Sequence, residues 1–191
     1  MNLLPRDGIA DYHGRILDEA AVDWLFERLF RTVPWKNDEA VIFGKHIVTA
    51  RKVAWYGDSD FSYTYSGKTK QALRWTSELA GLKRLVERES GTSYNSCLLN
   101  LYHNGSEGMG WHSDDERTLL RNASIASVSL GAERKFSFRH KLTKETLSVL
   151  LESGSLLVMK EETQTHWQHC IPKTKRVLMP RINLTFRTMA V

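Results

Sequence analysis

The length, composition and charge of the chain exclude several classes of protein. Its 191 residues suffice for one domain whose core needs no metal or disulfide to hold it together. Hydrophobic residues make up 41% and charged residues 26% of the chain, with a net charge of +5, which is the composition of a soluble globular protein. No apolar run is long enough to cross a bilayer. We therefore expect no membrane partner and, because polar residues interrupt positions 1–7, no export signal.

These features predict an intracellular protein, cytoplasmic if the source is bacterial and nuclear if it is eukaryotic. In that setting Cys97 and Cys170 are expected to be reduced, buried thiols. The positive charge favours a polyanionic partner, although a solvated face explains a run of basic residues equally well on charge alone. The basic residues form two clusters, namely Arg134, Lys135, Arg139, His140 and Lys141, and then Lys173, Lys175 and Arg176.

The predicted elements, in chain order, are two helices and a series of strands. Apolar residues at helical spacing predict a helix over 18–30, with Asp18 as its N-cap. Residues 40–65 favour extended hairpins, and a second helix is predicted over 76–89, with Gly91 just beyond its end. After Gly91 the apolar period changes to two, which predicts strands over 98–102, 125–130, 135–138, 146–151, 155–159 and 176–187. This order favours one domain with an all-β core and flanking helices, of the α+β class.

Three residues have the pattern of a metal site. His112 and Asp114 are two positions apart, so on a strand or its extended end both side chains leave the same face. His169 lies where a later strand can bring it against them. Two imidazoles and one carboxylate leave three coordination positions open, which suits non-haem iron(II). A zinc hydrolase with the same ligands is the competing interpretation.

The last predicted strand supplies a second kind of site. From Arg181 to Arg187 the odd positions are all polar and the even positions all apolar. Inward-facing Arg181 and Arg187, together with Asn183 and Thr185, are costly to bury unless an anion neutralises them. A dicarboxylate fits, because each guanidinium can bind a carboxylate through two hydrogen bonds. Asn100 and Tyr102 alternate in the same way on an earlier strand and can complete the pocket, whereas an ordinary exposed face is the alternative.

The motifs together resemble the AlkB family of Fe(II)/2-oxoglutarate-dependent nucleic-acid dealkylases, from about residue 30 to the C-terminus. The chain is most similar to the duplex-DNA-preferring member of that family. The resemblance implies a double-stranded β-helix, or jelly roll, with N-terminal helices and a nucleotide-recognition lid of hairpins. It also implies a single domain over 1–191, with helices and lid at about 30–95 and the catalytic core at about 96–191. The motifs that carry it are 42–45, 51–52, 56–58, 63–67, 100–102, 110–116, 127–131, 138–141, 166–169 and 180–187.

The resemblance assigns a role to each motif residue. His112, Asp114 and His169 would hold iron and form the catalytic centre. The target base would stack between Tyr65 and His112, Phe43 would fill the gap in the duplex, and Arg139 and Lys141 would grip phosphates. Residues that would bind 2-oxoglutarate are Asn100, Tyr102, Arg181, Asn183, Thr185 and Arg187. Residues that would contact the substrate are Phe43, Gly44, Lys45, Arg51, Tyr63, Thr64, Tyr65, Asp115 and Glu116.

The activity that this resemblance implies is oxidative demethylation of 1-methyladenine and 3-methylcytosine in DNA. Iron(II), 2-oxoglutarate and O₂ would be required, and succinate, CO₂ and formaldehyde would be released. A base must leave the duplex for its methyl group to be reached, and lysines and arginines supply sequence-independent phosphate binding. The alternatives are an RNA or N6-methyladenine demethylase of the same chemistry and a non-catalytic reader of damaged DNA. We expect a monomer whose partner is alkylated DNA, double- or single-stranded, or RNA.

Overall fold

Both predicted helices form, and their ends lie within two residues of the predicted ones. The computed structural model describes residues 1–42, 45–65 and 68–190, with the side chains of 40–42, 45–46, 62–65 and 68–70 left out of the description. Helix α1 spans Glu19–Thr32, and the Asp18 carboxylate accepts a hydrogen bond from the Ala21 N–H at 2.8 Å. Helix α2 spans Ser77–Ser90 and ends at Gly91, whose left-handed φ of 68° suits a residue without a Cβ.

The rest of the fold is β-structure with one further short helix, α3 (Thr163–His166). The strands are β1 (Ile9–Arg15), β2 (Lys36–Ile42), β3 (Lys45–Gly57), β4 (Ser62–Tyr65), β5 (Lys68–Gln71), β6 (Leu73–Arg74), β7 (Ser96–Tyr102), β8 (Met109–His112), β9 (Ile125–Gly131), β10 (Arg134–His140), β11 (Thr146–Leu151), β12 (Ser155–Lys160), β13 (Trp167–Ile171) and β14 (Arg181–Arg187). The larger sheet has the order β1-β12-β9-β14-β7-β3-β2, with β6 paired to β3, and the smaller sheet has the order β11-β10-β13-β8. Strands β4 and β5 form a separate hairpin.

Two clusters of buried apolar side chains hold the helices and the two sheets together. One cluster joins α1 and α2 to one face of the larger sheet and includes Leu99, Leu101, Ile182, Leu184 and Phe186. The second joins strands of both sheets and includes Ile125, Leu157, Phe138 and Trp167. The sheets therefore pack face to face with the helices outside the larger one, which confirms the predicted jelly-roll core with flanking helices. The side chains that alternate with the first cluster, such as Asn100 and Asn183, point between the sheets.

The structure differs from the predicted elements at several places, and β5, β6, β8 and β13 were not in the predicted series of strands. Strand β1 was not predicted, yet it pairs with β12 along one edge of the larger sheet. Helix α3 was not predicted either. The last strand begins at Arg181 rather than at residue 176, because Pro180 lacks the N–H that a strand residue donates. Leu178 and Met179, just before it, are exposed.

The region predicted as extended hairpins contains β2, β3 and β4. Strand β3 pairs with β2 on one side and with β7 on the other. Phe43 and Gly44, between β2 and β3, lie outside the described residues. Both cysteines are free and buried, as expected. In the parts of the chain that the structure describes, no helix has the length and apolar character needed to cross a membrane.

Candidate metal and cosubstrate site

The three predicted metal ligands come together between the sheets. His112 ends β8 and lies opposite His169 in the β8–β13 ladder, while Asp114 follows in the extended segment after the strand. Their ligand atoms all lie within 4.8 Å of one another. Asp114 and His169 are buried, whereas the His112 side chain is 34% exposed. The group therefore has one open side, at His112.

Hydrogen bonds orient each ligand. The His112 Nδ1 lies 2.9 Å from the Gly110 carbonyl oxygen, which accepts its proton and leaves Nε2 directed toward Asp114. The Asp114 N–H donates to the Gln164 Oε1 at 2.8 Å, and the Ser113 hydroxyl donates to the Trp167 carbonyl at 2.9 Å. These contacts fasten the segment after β8 to α3 and β13. The sequence analysis missed Gln164 and Ser113, because contacts across about fifty residues leave no local pattern.

The electrostatics of Asp114 and His169 favour the protonation states that bind a metal. Burial lowers the pKa of His169 to about 4, so this imidazole is neutral at pH 7. Burial opposes ionisation of Asp114, but Arg187, with its Nη2 donating at 2.8 Å, and the two histidines outweigh it and hold the pKa of that carboxyl well below its usual range. Burial also lowers the pKa of His112, although the hydrogen bond with and charge of Asp114 raise it overall. A neutral imidazole and an ionised carboxylate are the forms that ligate.

Five of the six residues predicted to bind a dicarboxylate line the same cavity as the metal ligands, and the sixth, Arg181, does not. Strands β7 and β14 are neighbours, with Asn100 opposite Asn183 and Tyr102 opposite Arg181. Their polar side chains therefore leave the sheet on the face opposite to the helices. The cavity is lined by the three metal ligands and by Asn100, Tyr102, Asn183, Thr185 and Arg187. The Thr185 hydroxyl donates a hydrogen bond to the Asn183 Oδ1 at 3.2 Å, and the Asn183 Nδ2 donates to the Ser127 hydroxyl at 2.8 Å.

Arg181 is the strongest sign of an anion site. It is only 1% exposed, and its Nη2 donates to the Ser129 hydroxyl at 2.9 Å. Its Nε and Nη1 have no hydrogen-bond partner among the described residues. Burial lowers the pKa of this guanidinium to about 10, and its Cζ lies 5.6 Å from the centre of the Tyr102 ring. A buried cation with unused donors fits a carboxylate of a bound ligand.

The two arginines of β14 have different surroundings, although the alternation along the strand predicts the same role for both. Arg187 donates to Asp114 and lies 3.6 Å from Glu116. Only its Nε has no partner within the described part of the chain. Arg187 therefore supports the metal ligands, whereas Arg181 does not itself line the cavity and lies against the ring of Tyr102, which does. The side chains fit iron(II) together with a dicarboxylate. Two histidines and a carboxylate are suitable ligands for iron(II), and the buried hydrogen-bond donors suit a dicarboxylate.

The remaining predicted residues fall into three groups. Asp115 and Glu116 are exposed beside the metal ligands. Arg51 is buried and donates to Asn100 at 2.9 Å. Of the others, Phe43 and Gly44 lie outside the described residues, and only the backbone is described for Lys45, Tyr63, Thr64 and Tyr65.

The basic clusters also divide. Arg134 is buried and donates to the carbonyls of Glu107 and Pro172 at 2.9 Å, so it joins two loops. Arg139 lies with its Cζ 4.4 Å from the centre of the exposed Trp111 ring. The second cluster, Lys173, Lys175 and Arg176, is exposed. Charge patterning alone does not distinguish a buried arginine from an exposed one.

Comparisons with known proteins agree with this site. Residues 10–187 match the family described as the 2OG-Fe(II) oxygenase superfamily. The mouse protein named DNA oxidative demethylase ALKBH2 is 38% identical over 195 residues, which cover 96% of this chain and 82% of the mouse protein. The human protein named alpha-ketoglutarate-dependent dioxygenase alkB homolog 3 is 39% identical, and the match covers 91% of this chain and 63% of that protein.

A solved structure has the same fold. The match to the structure titled "The structure of OsALKBH1" has a TM-score of 0.65 at 15% identity and covers 97% of this chain and 98% of the other. At that identity the likeness concerns the fold alone. Membership of the family is shown instead by the family match over nearly the whole chain and by the similarity to the mouse relative. The chain belongs to the 2OG-Fe(II) oxygenase superfamily and, within it, to the AlkB family.

Proposed function

We propose that the protein repairs DNA by removing N-methyl groups from 1-methyladenine and 3-methylcytosine. The reaction consumes 2-oxoglutarate and O₂ and releases succinate, CO₂ and formaldehyde, so that the original base is restored directly. The observation that carries the proposal is the single cavity that joins three metal ligands to polar side chains beside the buried Arg181. The similarity to the mouse relative, whose name specifies DNA, supports the choice of substrate.

The residues of the cavity would divide the work. His112, Asp114 and His169 would hold iron(II), while Arg181, Tyr102 and Asn100 would bind 2-oxoglutarate through its carboxylates. When bound together, iron and 2-oxoglutarate would activate O₂, which oxidises 2-oxoglutarate to succinate and CO₂ and hydroxylates an N-methyl carbon that then leaves as formaldehyde. Phe136 and Met159 give the cavity an apolar lining that excludes water.

The open side at His112 is the proposed entry for the base. A methyl group on the pairing edge is out of reach inside a duplex, so the base must leave the stack. Both methylated bases carry positive charge, and Asp115 and Glu116 place carboxylates beside the entry. Opposite charge therefore favours these lesions over neutral bases. Stacking on Tyr65 and filling of the duplex by Phe43 remain predictions from the resemblance.

We also propose that the protein acts as a monomer. One chain supplies all three ligands of the proposed metal site, and their ligand atoms lie within 4.8 Å of one another. Light scattering coupled to gel filtration of the active protein tests this directly. A dimer at assay concentration would contradict it.

The activity is tested with an oligonucleotide that contains 3-methylcytosine, in the presence of Fe(II), 2-oxoglutarate and air. We expect one molecule of formaldehyde and one unmethylated cytosine for each molecule of succinate that forms only when the methylated oligonucleotide is present. The isosteric Asp114→Asn variant should lose turnover by more than about 100-fold, because even groups that only support metal ligands contribute 10- to 100-fold. Its circular dichroism spectrum serves as the folding control. Repair that continues without O₂, or at the wild-type rate in Asp114→Asn, would overturn the proposal.

Matched RNA and DNA oligonucleotides separate the proposed substrate from its closest alternative. The same methylated base is placed in single-stranded DNA, duplex DNA and RNA of one sequence, and the ratio of kcat/KM values is compared. We expect DNA to be preferred. A preference for RNA would leave the proposed reaction intact but show that RNA, not DNA, is the substrate.

A further inference from the structure

A buried charge pair supports the cavity from the side of β2 and β3. Although the resemblance predicts a contact between Arg51 and the nucleic acid, this residue is only 8% exposed. Its Nη2 forms an ion pair with Asp38. Its Nη1 donates to the Asn100 Oδ1 at 2.9 Å and lies 3.7 Å from the Met109 sulfur. Arg51 therefore contacts β7 and β8, the two strands that carry a pocket residue and a metal ligand.

The Arg51 contact determines which end of the Asn100 amide faces the cavity. A guanidinium has donors only, so the atom that it meets at 2.9 Å must be the amide oxygen. The Nδ2 is then the end left for the cavity that Asn100 lines, and it has no partner among the residues that the structure describes. A carboxylate ligand needs a donor and would be repelled by the amide oxygen.

Asp38 holds Arg51 in this position through an irregularity in the strand pairing. The register of β2 and β3 shifts between Asn37 and Glu39, so that Asn37 pairs with Lys52 but Glu39 pairs with Val48. The extra residues of this β-bulge lie on β3, between Val48 and Lys52, so Arg51 belongs to the bulge and Asp38 lies opposite it on β2. Bulges redirect side chains near functional sites. The carboxylate neutralises a cation that would be costly to bury alone.

We propose that Arg51, held by Asp38, is a positioning residue for 2-oxoglutarate, because it presents the Asn100 Nδ2 to a carboxylate of that ligand. The inference rests on the cosubstrate pocket of the proposed function. It assigns Arg51 to the cosubstrate rather than to the nucleic acid.

The test measures cosubstrate and DNA affinities separately. The variant is Arg51→Met combined with Asp38→Asn, which removes both charges of the pair and keeps the net charge. Titration calorimetry of the protein loaded with redox-inert Mn(II) should give a Kd for 2-oxoglutarate that is about tenfold higher, the effect of losing one hydrogen bond to an anion. Fluorescence anisotropy with a methylated duplex should give a DNA affinity within about twofold of the wild type.

Asn100 provides the decisive control. If Arg51 acts through this amide, the paired substitution should leave the 2-oxoglutarate Kd unchanged in an Asn100→Ala background. A role in general stability would weaken binding in both backgrounds. Lys52→Met, at the neighbouring position on the opposite face of β3, should leave the Kd as it is. In turnover, KM for 2-oxoglutarate should rise while kcat at saturation stays close to the wild type.

Each other outcome overturns the inference. A Kd that does not change, an equal loss in the Asn100→Ala background, or a loss of DNA affinity alone would assign Arg51 another role. Wild-type protein that binds no 2-oxoglutarate would instead remove the pocket itself, and with it the proposed function. If the double variant fails to fold, Arg51→Lys replaces it, because an ammonium keeps the charge but cannot span Asp38 and Asn100 as the guanidinium does.

Discussion

Arg181 and Arg187 show how two identical side chains on one face of one strand acquire different roles. Arg187 donates to Asp114 at 2.8 Å, and this contact helps keep the metal ligand ionised. Arg181 donates to the Ser129 hydroxyl and lies against the Tyr102 ring, and two of its nitrogens have no hydrogen-bond partner among the residues that the structure describes. A buried cation without a counter-ion reduces the stability of the ligand-free protein. It also makes binding of an anion more favourable.

Replacement of Arg181 by Met should therefore have opposite effects on ligand binding and on stability. We expect 2-oxoglutarate affinity to fall by about 10- to 100-fold, as for loss of a charge-assisted hydrogen-bonded pair. The free energy of unfolding without ligand should change little or rise, because the buried charge is gone. Urea unfolding with and without Mn(II) and 2-oxoglutarate measures both. A large loss of stability with unchanged affinity would show that Arg181 is a structural cation.

At the level of elements, the position of β8 depends on how closely it approaches β13. Gly108 precedes β8, and a Cβ atom there would lie 2.5 Å from the Ile171 carbonyl oxygen. Gly110, within β8, has nothing within 4 Å of the corresponding position. The strand carries His112, so a displaced β8 displaces a metal ligand. The sequence shows both glycines but does not show which of them is confined.

The substitutions Gly108→Ala and Gly110→Ala form a matched pair. We expect Gly108→Ala to cost about 1–3 kcal/mol of unfolding free energy through overpacking and to weaken Mn(II) binding. Gly110→Ala should affect neither, since its carbonyl still accepts from His112. Thermal unfolding and calorimetric Mn(II) titration give the two quantities. Equal behaviour of the two variants would contradict the proposed role of the Gly108 contact.

The two long helices are joined by an ion pair that gives stability a pH dependence. The Arg28 Nε donates to Glu78 at 2.8 Å, and this hydrogen bond is the main cause that lowers the pKa of Glu78 to about 2. The stabilisation is therefore complete above the unfolded-state pKa of about 4.3. It is lost as the pH falls toward the folded-state value of about 2.

Glu78→Gln should consequently be less stable than the wild type at neutral pH and approach it in acid. Because Arg28 is half exposed, solvent screening limits the difference to about 1 kcal/mol. Urea unfolding at a series of pH values measures it. Glu27→Gln, in the exposed pair with Arg31, is the control and should give a smaller difference. A difference that stays constant down to the most acidic pH would exclude this ionisation as its cause.

The part of the fold that could be predicted from the sequence is the part with local signals. Asp18, Thr76 and Gly91 act within one turn of their helices, and His112 with Asp114 needs only the period of a strand. Strand β1 was missed because its partner β12 is distant in sequence and its few apolar residues give no alternation. Arg134 was grouped with exposed cations, but most of β10 is buried. Burial of that kind depends on three-dimensional neighbours, which no short window contains.

At the scale of the whole molecule, the net charge of +5 becomes informative through its placement. Lys173 lines a shallow hollow together with Trp111, the residue before His112. Exposed Lys175 and Arg176 follow in the same loop. Arg84 and Arg88 are also exposed, but they lie on α2, which packs on the opposite side of the larger sheet. The position of Lys173 beside the metal strand favours the first group as the contact for a DNA backbone.

Lys173→Gln combined with Lys175→Gln should make DNA binding less dependent on salt. Each phosphate contact contributes about −0.9 to the slope of log affinity against log salt, so the slope should become shallower by up to about 2. Arg84→Gln combined with Arg88→Gln removes the same charge and should leave the slope unchanged. Fluorescence anisotropy at several salt concentrations provides both slopes. The same slope change in both double variants would point to net charge instead of a defined contact.

The β-bulge in β3, opposite Asp38, affects how the molecule opens locally. From Lys52 to Gly57, β3 pairs with β7, and the first two and last two residues of this stretch also pair with β2 and β6, respectively. Lys45–Val48, by contrast, pairs with β2 alone among the described strands. Backbone amides in the outer ribbon should therefore exchange with solvent at a lower free energy of opening than those next to β7. The buried Arg51–Asp38 pair lies at the boundary between these two regions. Separation of the ribbon from the sheet would remove the counter-ion of Arg51. A change that destabilises this hairpin should therefore also weaken the binding of a dicarboxylate in the cavity.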